Sequence, residues 1–207
     1  MLSEYRTGAI TSVDGSVNPG RTNKEGSLAV VQSKAKYADA VFRGNMFIAA
    51  NQSSASITNL NGTVTGFCLQ NPFGNSKYFI LYEVGLFQAS TAAATANAGV
   101  QLAWHNTGAT AVTHTTPLTV RNLLLGGGNV TTALVDASAS GTTTPVAVLN
   151  LWQPSVSATA TTGIPPQIVY RADGLLFILP GSSLSLSSLS ALSGLGQMIW
   201  EEVPLPI

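Results

Sequence analysis

From residue 46 onward the chain breaks into short runs rich in Val, Ile, Phe, Tyr and Thr, and the breaks are filled by turn formers. That punctuation constrains the fold more than any other feature. A parallel α/β sheet needs crossover connections of a dozen residues or more, usually helical. Here the connections are Ala/Thr/Ser/Gly stretches without a large apolar stripe. The strand-like runs are Met46–Ala50, Thr63–Gln70, Tyr78–Gln88, Val100–His105, Val146–Trp152, Gln167–Tyr170, Leu175–Leu179, Ser182–Leu186 and Met198–Val203. Between them lie Asn71-Pro72-Phe73-Gly74-Asn75, Gly126-Gly127-Gly128-Asn129, Asp173-Gly174 and Pro180-Gly181. Asp173-Gly174 predicts a hairpin. Ser182 to Ser187 alternates apolar and polar residues, which predicts a strand with one buried face. Eight or nine short strands predict an all-β, jelly-roll-like antiparallel β-sandwich over residues 46–207.

The first 45 residues differ in character and are expected to form an extended N-terminal arm. Six of the nine basic residues and four of the nine acids fall within residues 1–43, leaving eight charges for the remaining 164 residues. One short helix is expected at about 33–43, capped by Ser33 and closed by Arg43 and Gly44. Tyr37 and Val41, and Ala38 and Phe42, lie one turn apart, which gives that helix an apolar side.

Charge then narrows the function. Only 9% of residues are charged and the formal net charge is zero, against about 25% charged residues in ordinary soluble domains. A surface so poor in ions is weakly protected against association, so neighbours are expected to cover much of it. The arm has a net charge of only +2 and no continuous basic stripe, so nucleic acid is not an expected partner. No run of 18 apolar residues and no secretory leader is present, so no membrane partner is expected.

Catalytic signals are thin. Cys68 lies in the apolar run Gly66–Leu69 and reads as a small core residue. His105 and His114 are the only histidines, too few for a convincing metal centre. Glu201 and Glu202 are adjacent and point to opposite faces of a strand. One of them is expected to meet a basic residue, with Arg171 or an arm residue as the candidates. The triple glycine lacks the Gly-Lys-Ser/Thr ending of a phosphate loop and reads as a turn. No enzyme, cofactor or metal is expected.

Several segments together resemble small structural proteins of tailed bacteriophages. They are Lys36–Phe47 with Ala50-Asn51-Gln52, then Thr65–Pro72, then Gly74–Lys77 with the following apolar strand, and the Trp200-Glu201-Glu202 close. Together they span about half the chain. The resemblance implies a jelly-roll virion protein on the outer surface of the phage head, of the capsid cement or decoration type. Such a protein commonly forms a homotrimer and binds across subunits of the major capsid protein. Arg6, Arg21, Lys24, Lys34, Lys36, Tyr37, Phe42 and Arg43 are the candidate contacts with the capsid or between subunits. Two other readings stay open. One is a tail, head-fibre or receptor-binding jelly roll, for which Trp104 and Trp152 would be candidate glycan contacts; the other is a cupin-like or glycan-active enzyme.

Overall fold

A computed structural model describes residues 36–57, 65–88, 100–106, 112–141, 145–152, 167–188 and 192–205. The chain divides between Asp39 and Ala40, and the fold below is that of the second unit. Among the described residues, one helix, α1 (Ala38–Phe42), precedes eleven strands. They are β1 (Met46–Ala50), β2 (Ala55–Ile57), β3 (Thr65–Asn71), β4 (Lys77–Gln88), β5 (Val100–Asn106) and β6 (Arg121–Asn122), followed by β7 (Leu134–Ser140), β8 (Val146–Trp152), β9 (Gln167–Ile178), β10 (Ser182–Ser188) and β11 (Leu192–Pro204).

Two antiparallel sheets result. The first has the order β6-β1-β11-β4-β9, with β2 also paired to β11; the second has the order β7-β3-β10-β5-β8. The pairs β1·β11, β3·β10, β4·β9 and β5·β8 are those of one long hairpin, with its turn between β5 and β8, rolled up into two layers. That arrangement is the jelly roll. It explains why strands far apart in sequence are neighbours, and why the turn formers at Asn71–Asn75 and Pro180-Gly181 mark corners at one sandwich end.

The core lies between the sheets. Phe47, Leu81, Met198 and Trp200 from the first sheet meet Phe67, Leu69, Leu102, Leu184 and Leu186 from the second, all at most 1% exposed except Leu184. Phe47 stacks on Trp200 with ring centroids 6.1 Å apart, and Phe79 lies tilted to Trp200 at 6.4 Å. Close approach demands glycine at Gly196, where a Cβ would fall 2.8 Å from the Phe67 ring. The backbone of β11 therefore serves as a wall against which Phe67 packs.

Several expectations change. The helix is shorter than the expected 33–43: Lys36 and Tyr37 lie in a turn before Ala38, and residues 33–35 lie outside those described. Its end is as expected. Gly44, at φ +70°, donates its N–H to Val41 O, and Asn45 donates to Ala40 O. These are the two bonds of a Schellman cap.

Asp173-Gly174 is not a hairpin turn. Gln167–Tyr170 and Leu175–Leu179 belong to the single strand β9 and its exit, and both halves pair with β4. Leu81 faces Leu176 and Glu83 faces Arg171, so Asp173 (φ +48°) and Gly174 (φ +86°) are extra residues bulging from one edge strand. The local chemistry of a left-handed pair is right, but the chain continues straight on.

β10 is buried on both faces. Leu184 and Leu186 face the core, while Ser183, Ser185 and Ser187 face outward beneath further chain. Val112 packs there with Cys68 and Ala139, and Gly141 lies beside His105.

Candidate assembly surface

The rolled topology brings one set of strand ends together: the starts of β1, β4, β7, β8 and β10 and the ends of β3, β5, β9 and β11. From this end project the α1 exit, the β3–β4 corner, the glycine loop before β7 and the β9–β10 corner. Each carries an exposed large apolar side chain. Phe42 ends α1, Phe73 tips the β3–β4 corner, Leu125 and Val130 flank the glycines, and Leu179 opens the β9–β10 corner. Leu125 is 82% and Val130 86% exposed. Apolar tips on four neighbouring connections make an apolar end, unlike single exposed leucines scattered over a surface.

These connections are held rigidly by polar side chains beneath the tips. Asn71, fully buried, donates through Nδ2 to Lys77 O (3.0 Å) and Ile178 O (2.9 Å), and its own carbonyl accepts from Gly181 N. One amide thus ties the β3–β4 corner to the β9–β10 corner. Asn75 Nδ2 reaches Thr132 Oγ1 at 2.9 Å and so joins the first corner to the segment leading into β7. Asn122 Nδ2 donates to Gly44 O (2.6 Å) and Asn129 O (3.1 Å), while Asn129 Nδ2 donates to Asn45 Oδ1 (2.7 Å). A Cβ on Gly44 would lie 2.7 Å from Gly128 Cα. The glycine loop is therefore a close-packed seat for the end of α1, with Gly126 and Gly128 at positive φ.

Glu202 is the centre of this scaffold. Trp200 and Glu202 share the core-facing side of β11, and Glu202 closes the core at its end with 1% exposure. Its Oε1 accepts from Thr131 Oγ1 (2.5 Å) and Thr132 N (3.0 Å); its Oε2 accepts from Lys77 Nζ and Thr132 Oγ1, both at 2.9 Å. Burial pushes the carboxyl's pKa up, but the bonds from Thr131, Lys77 and Thr132 outweigh it and hold the group below the ordinary range for Glu. Lys77, not Arg171, is thus the base that one of the two adjacent glutamates meets. Arg171 Nε lies 3.5 Å from Glu83 instead, and Glu201 accepts from the Tyr82 hydroxyl at 2.8 Å on the opposite face.

His105, His114, Asp136 and Cys68 each make contacts that tie chain segments together. His105 Nε2 lies 2.8 Å from Ser185 Oγ in the buried serine face. His114 does find an acid through folding: Asp136 lies 3.7 Å from its Nδ1, and Gln70 lies 2.8 Å from its Nε2. Asp136 is fully buried and accepts from Thr116 N (2.9 Å) and Ser138 N (2.6 Å), so it ties two chain segments together. Cys68 stands beside it in the pairing register. Burial pushes the Cys68 thiol up to about 12, and Asp136 adds to that, while Ser183 opposes it. Among the described residues Ser183 Oγ has no nitrogen or oxygen hydrogen-bond partner, which leaves it to the weakly bonding Cys68 sulfur. A thiol so protonated is a poor nucleophile.

Of the sequence-predicted contact residues, Phe42 and Arg43 lie at the apolar end, both exposed. Lys36 is exposed with its Nζ 5.1 Å from the Tyr37 ring centroid. Arg6, Arg21, Lys24 and Lys34 lie outside the described residues. Trp104 is 37% exposed at the end of β5, and the Trp152 side chain lies outside those described. Sequence reasoning missed Phe73, Leu125, Val130 and Leu179. The available signal was a large apolar residue set within each turn, where polar residues are usual.

No family model matches the chain, and no curated protein matches it. Among solved structures the chain is similar to the extra small virus of the giant freshwater prawn Macrobrachium rosenbergii, determined by cryo-EM as a virus-like particle. That similarity covers 96% of this chain and 97% of the viral chain at 9% identity with a TM-score of 0.16, which is too slight to carry an argument about fold or function.

Proposed function

We propose that this chain is a bacteriophage capsid cement, or decoration, protein that stabilises the head by binding across major capsid protein subunits. It acts without catalysis, cofactor or nucleic acid, as a homotrimer on the outer surface of the head. The observation that carries the reading is the apolar end, with its tips fixed on a hydrogen-bonded scaffold, in a chain with 9% charged residues. Because the tips are already ordered, docking would cost little loop entropy.

The magnitudes favour a repeated, multivalent setting. Burying an apolar side chain contributes about 1.5–3 kcal/mol, so five tips supply about 7–15 kcal/mol before the losses of association. Those losses are themselves about 4–15 kcal/mol. One copy on one site would bind weakly, whereas symmetric copies on a lattice would hold by avidity. Self-association has its own surface on the flank where β9 and β8 are the sheet edges. There Val169, Leu175 and Phe177 of β9 and Val146 and Val148 of β8 are exposed. The only charges on β9 are Arg171 and Asp173, so the Asp173-Gly174 bulge is its chief guard against open-ended pairing.

The test is a binding assay on phage heads that lack the protein. A Phe73→Asp, Leu125→Asp, Val130→Asp triple variant should keep the thermal midpoint of the parent and lose co-sedimentation with the heads. Unaltered co-sedimentation by a folded triple variant would remove the docking end. Deleting residues 1–45 tests the arm separately: unchanged binding would leave the arm without a clamping role.

A further inference from the structure

On the flank opposite β8 and β9, a pocket of about 420 Å³ lies where residues 116–121 pass from beside β7 to β1, next to the C-terminal half of β1. It is distinct from the apolar end and independent of the docking proposal. Its apolar lining includes Ile48 on β1 and Leu118, which packs against the main core. Its rim is polar and comes from two directions. Gln52 and Ser53 follow β1, and Thr119 and Arg121 lead into β6. Pairing of β6 with β1 sets Arg121 opposite Ile48, which fixes the arginine at the pocket edge.

Arg121 is one of only three basic residues beyond residue 43, and it differs from the other two. Lys77 is bound by Glu202, and Arg171 lies by Glu83. The Arg121 guanidinium has no hydrogen-bond or ion-pair partner among the described residues. No carboxylate lines the pocket. A chain this sparing with charge has thus left one planar, five-donor cation at the mouth of a cavity in the size range of small-molecule sites. The remaining polar lining, Asn51, Gln52, Ser53, Thr116 and Thr119, consists of neutral amides and hydroxyls, which both donate and accept. Ile48 and Leu118 add carbon. A ligand complementary to all three features carries one carboxylate, several hydroxyls and an apolar C–H face.

We infer that this pocket binds an acidic sugar, a uronic or sialic acid residue, with Arg121 receiving the carboxylate, Gln52, Ser53 and Thr119 the hydroxyls, and Ile48 with Leu118 the C–H face. No bond is made or broken; the site is one of recognition. It faces sideways on the sandwich, so it stays open when the apolar end is docked.

The test uses the full chain and titrates methyl β-glucuronide and the methyl glycoside of N-acetylneuraminic acid, with methyl β-glucoside and acetate as controls, by calorimetry or ligand-observed NMR. At least one acidic sugar should bind in the millimolar range or tighter, and both controls should bind more weakly. Losing a charge-assisted, two-pronged contact should weaken that binding about tenfold or more in Arg121→Gln. Arg121→Lys, which keeps the charge and loses the fork, should fall between. Ala50→Tyr, at an exposed position lining the pocket, should block the site without lowering the thermal midpoint. Equal binding of glucoside and glucuronide, acetate binding as tightly as the sugars, no binding of either acidic sugar, or undiminished affinity in a folded Arg121→Gln protein would each overturn the assignment.

Discussion

Replacing Glu202 by Gln isolates the charge at the centre of the apolar end with almost no change of shape. In the native protein two carboxylate oxygens accept from Lys77 Nζ, Thr131 Oγ1, Thr132 N and Thr132 Oγ1. Glutamine keeps one acceptor oxygen and turns the other into an NH2 donor, which then faces Lys77 and a threonine hydroxyl, or Thr131 and a backbone N–H. Two charge-assisted bonds are lost. At about 1.5–3 kcal/mol for each hydrogen bond to a charged group, the gross loss is about 3–6 kcal/mol. Lys77 is 25% exposed, so water takes over part of its share, and the expected net is about 3 kcal/mol. For a chain of this size that lowers the thermal midpoint by about 6–12 °C.

The pH dependence identifies the cause. The folded-state pKa of Glu202 is lowered, so its contribution is fully present above the unfolded value of about 4.3. It is lost as pH falls through the folded value. Urea unfolding of parent and variant should therefore differ by a constant amount from pH 7 down to about 5, and the two curves should converge below that. A difference under about 1 kcal/mol at pH 7, less than a single such bond, or one that persists undiminished to pH 3, would refute the account of Glu202 as an ionised keystone.

Three further outcomes follow from close contacts. Gly44→Ala places a Cβ at φ +70° and 2.7 Å from the Gly128 backbone, so urea unfolding should show a loss of about 2 kcal/mol or more, beyond the left-handed penalty alone. Gly196→Ala drives a methyl into the Phe67 ring at 2.8 Å, and the same measurement should give about 1–3 kcal/mol. The Cys68 thiol, buried and pushed up to about 12, should resist a thiol-disulfide reagent at pH 8 in the native protein and react within minutes in urea; fast native labelling would contradict its burial.

The legible part of this fold was the part written in large apolar residues. Met46–Ala50 and Val146–Trp152 are read from sequence with the boundaries they have in the structure, because β-branched and aromatic residues in short runs have few other uses. Of the strands that escaped notice, β6 is only Arg121-Asn122, while β2 and β7 are rich in small residues. In β7, Leu-Val-Asp-Ala-Ser-Ala-Ser carries weak strand propensity, and its place is fixed by Cys68, Val112 and a buried Asp136 that only the fold brings near. The glycines of β11 read as loop for the same reason, although Gly194 and Gly196 are strand residues whose missing Cβ atoms make room for Leu86 and Phe67.

Asp173-Gly174 marks the deeper limit. Sequence specifies two residues in left-handed conformation, and a hairpin and a bulge both require that. The choice between them rests on whether the flanking runs pair with each other or with a third strand. Here Phe79 to Phe87 of β4 accept both runs as partners, so a continuous edge wins over a local turn. The apolar end was hidden by the same logic. Phe73, Leu125, Val130 and Leu179 lie on three separate connections, scattered among turn formers, and become one surface only when the hairpin rolls. What can be read directly is the asymmetry that makes the end matter: large apolar residues set in turns, in a chain with too few ions to mask them.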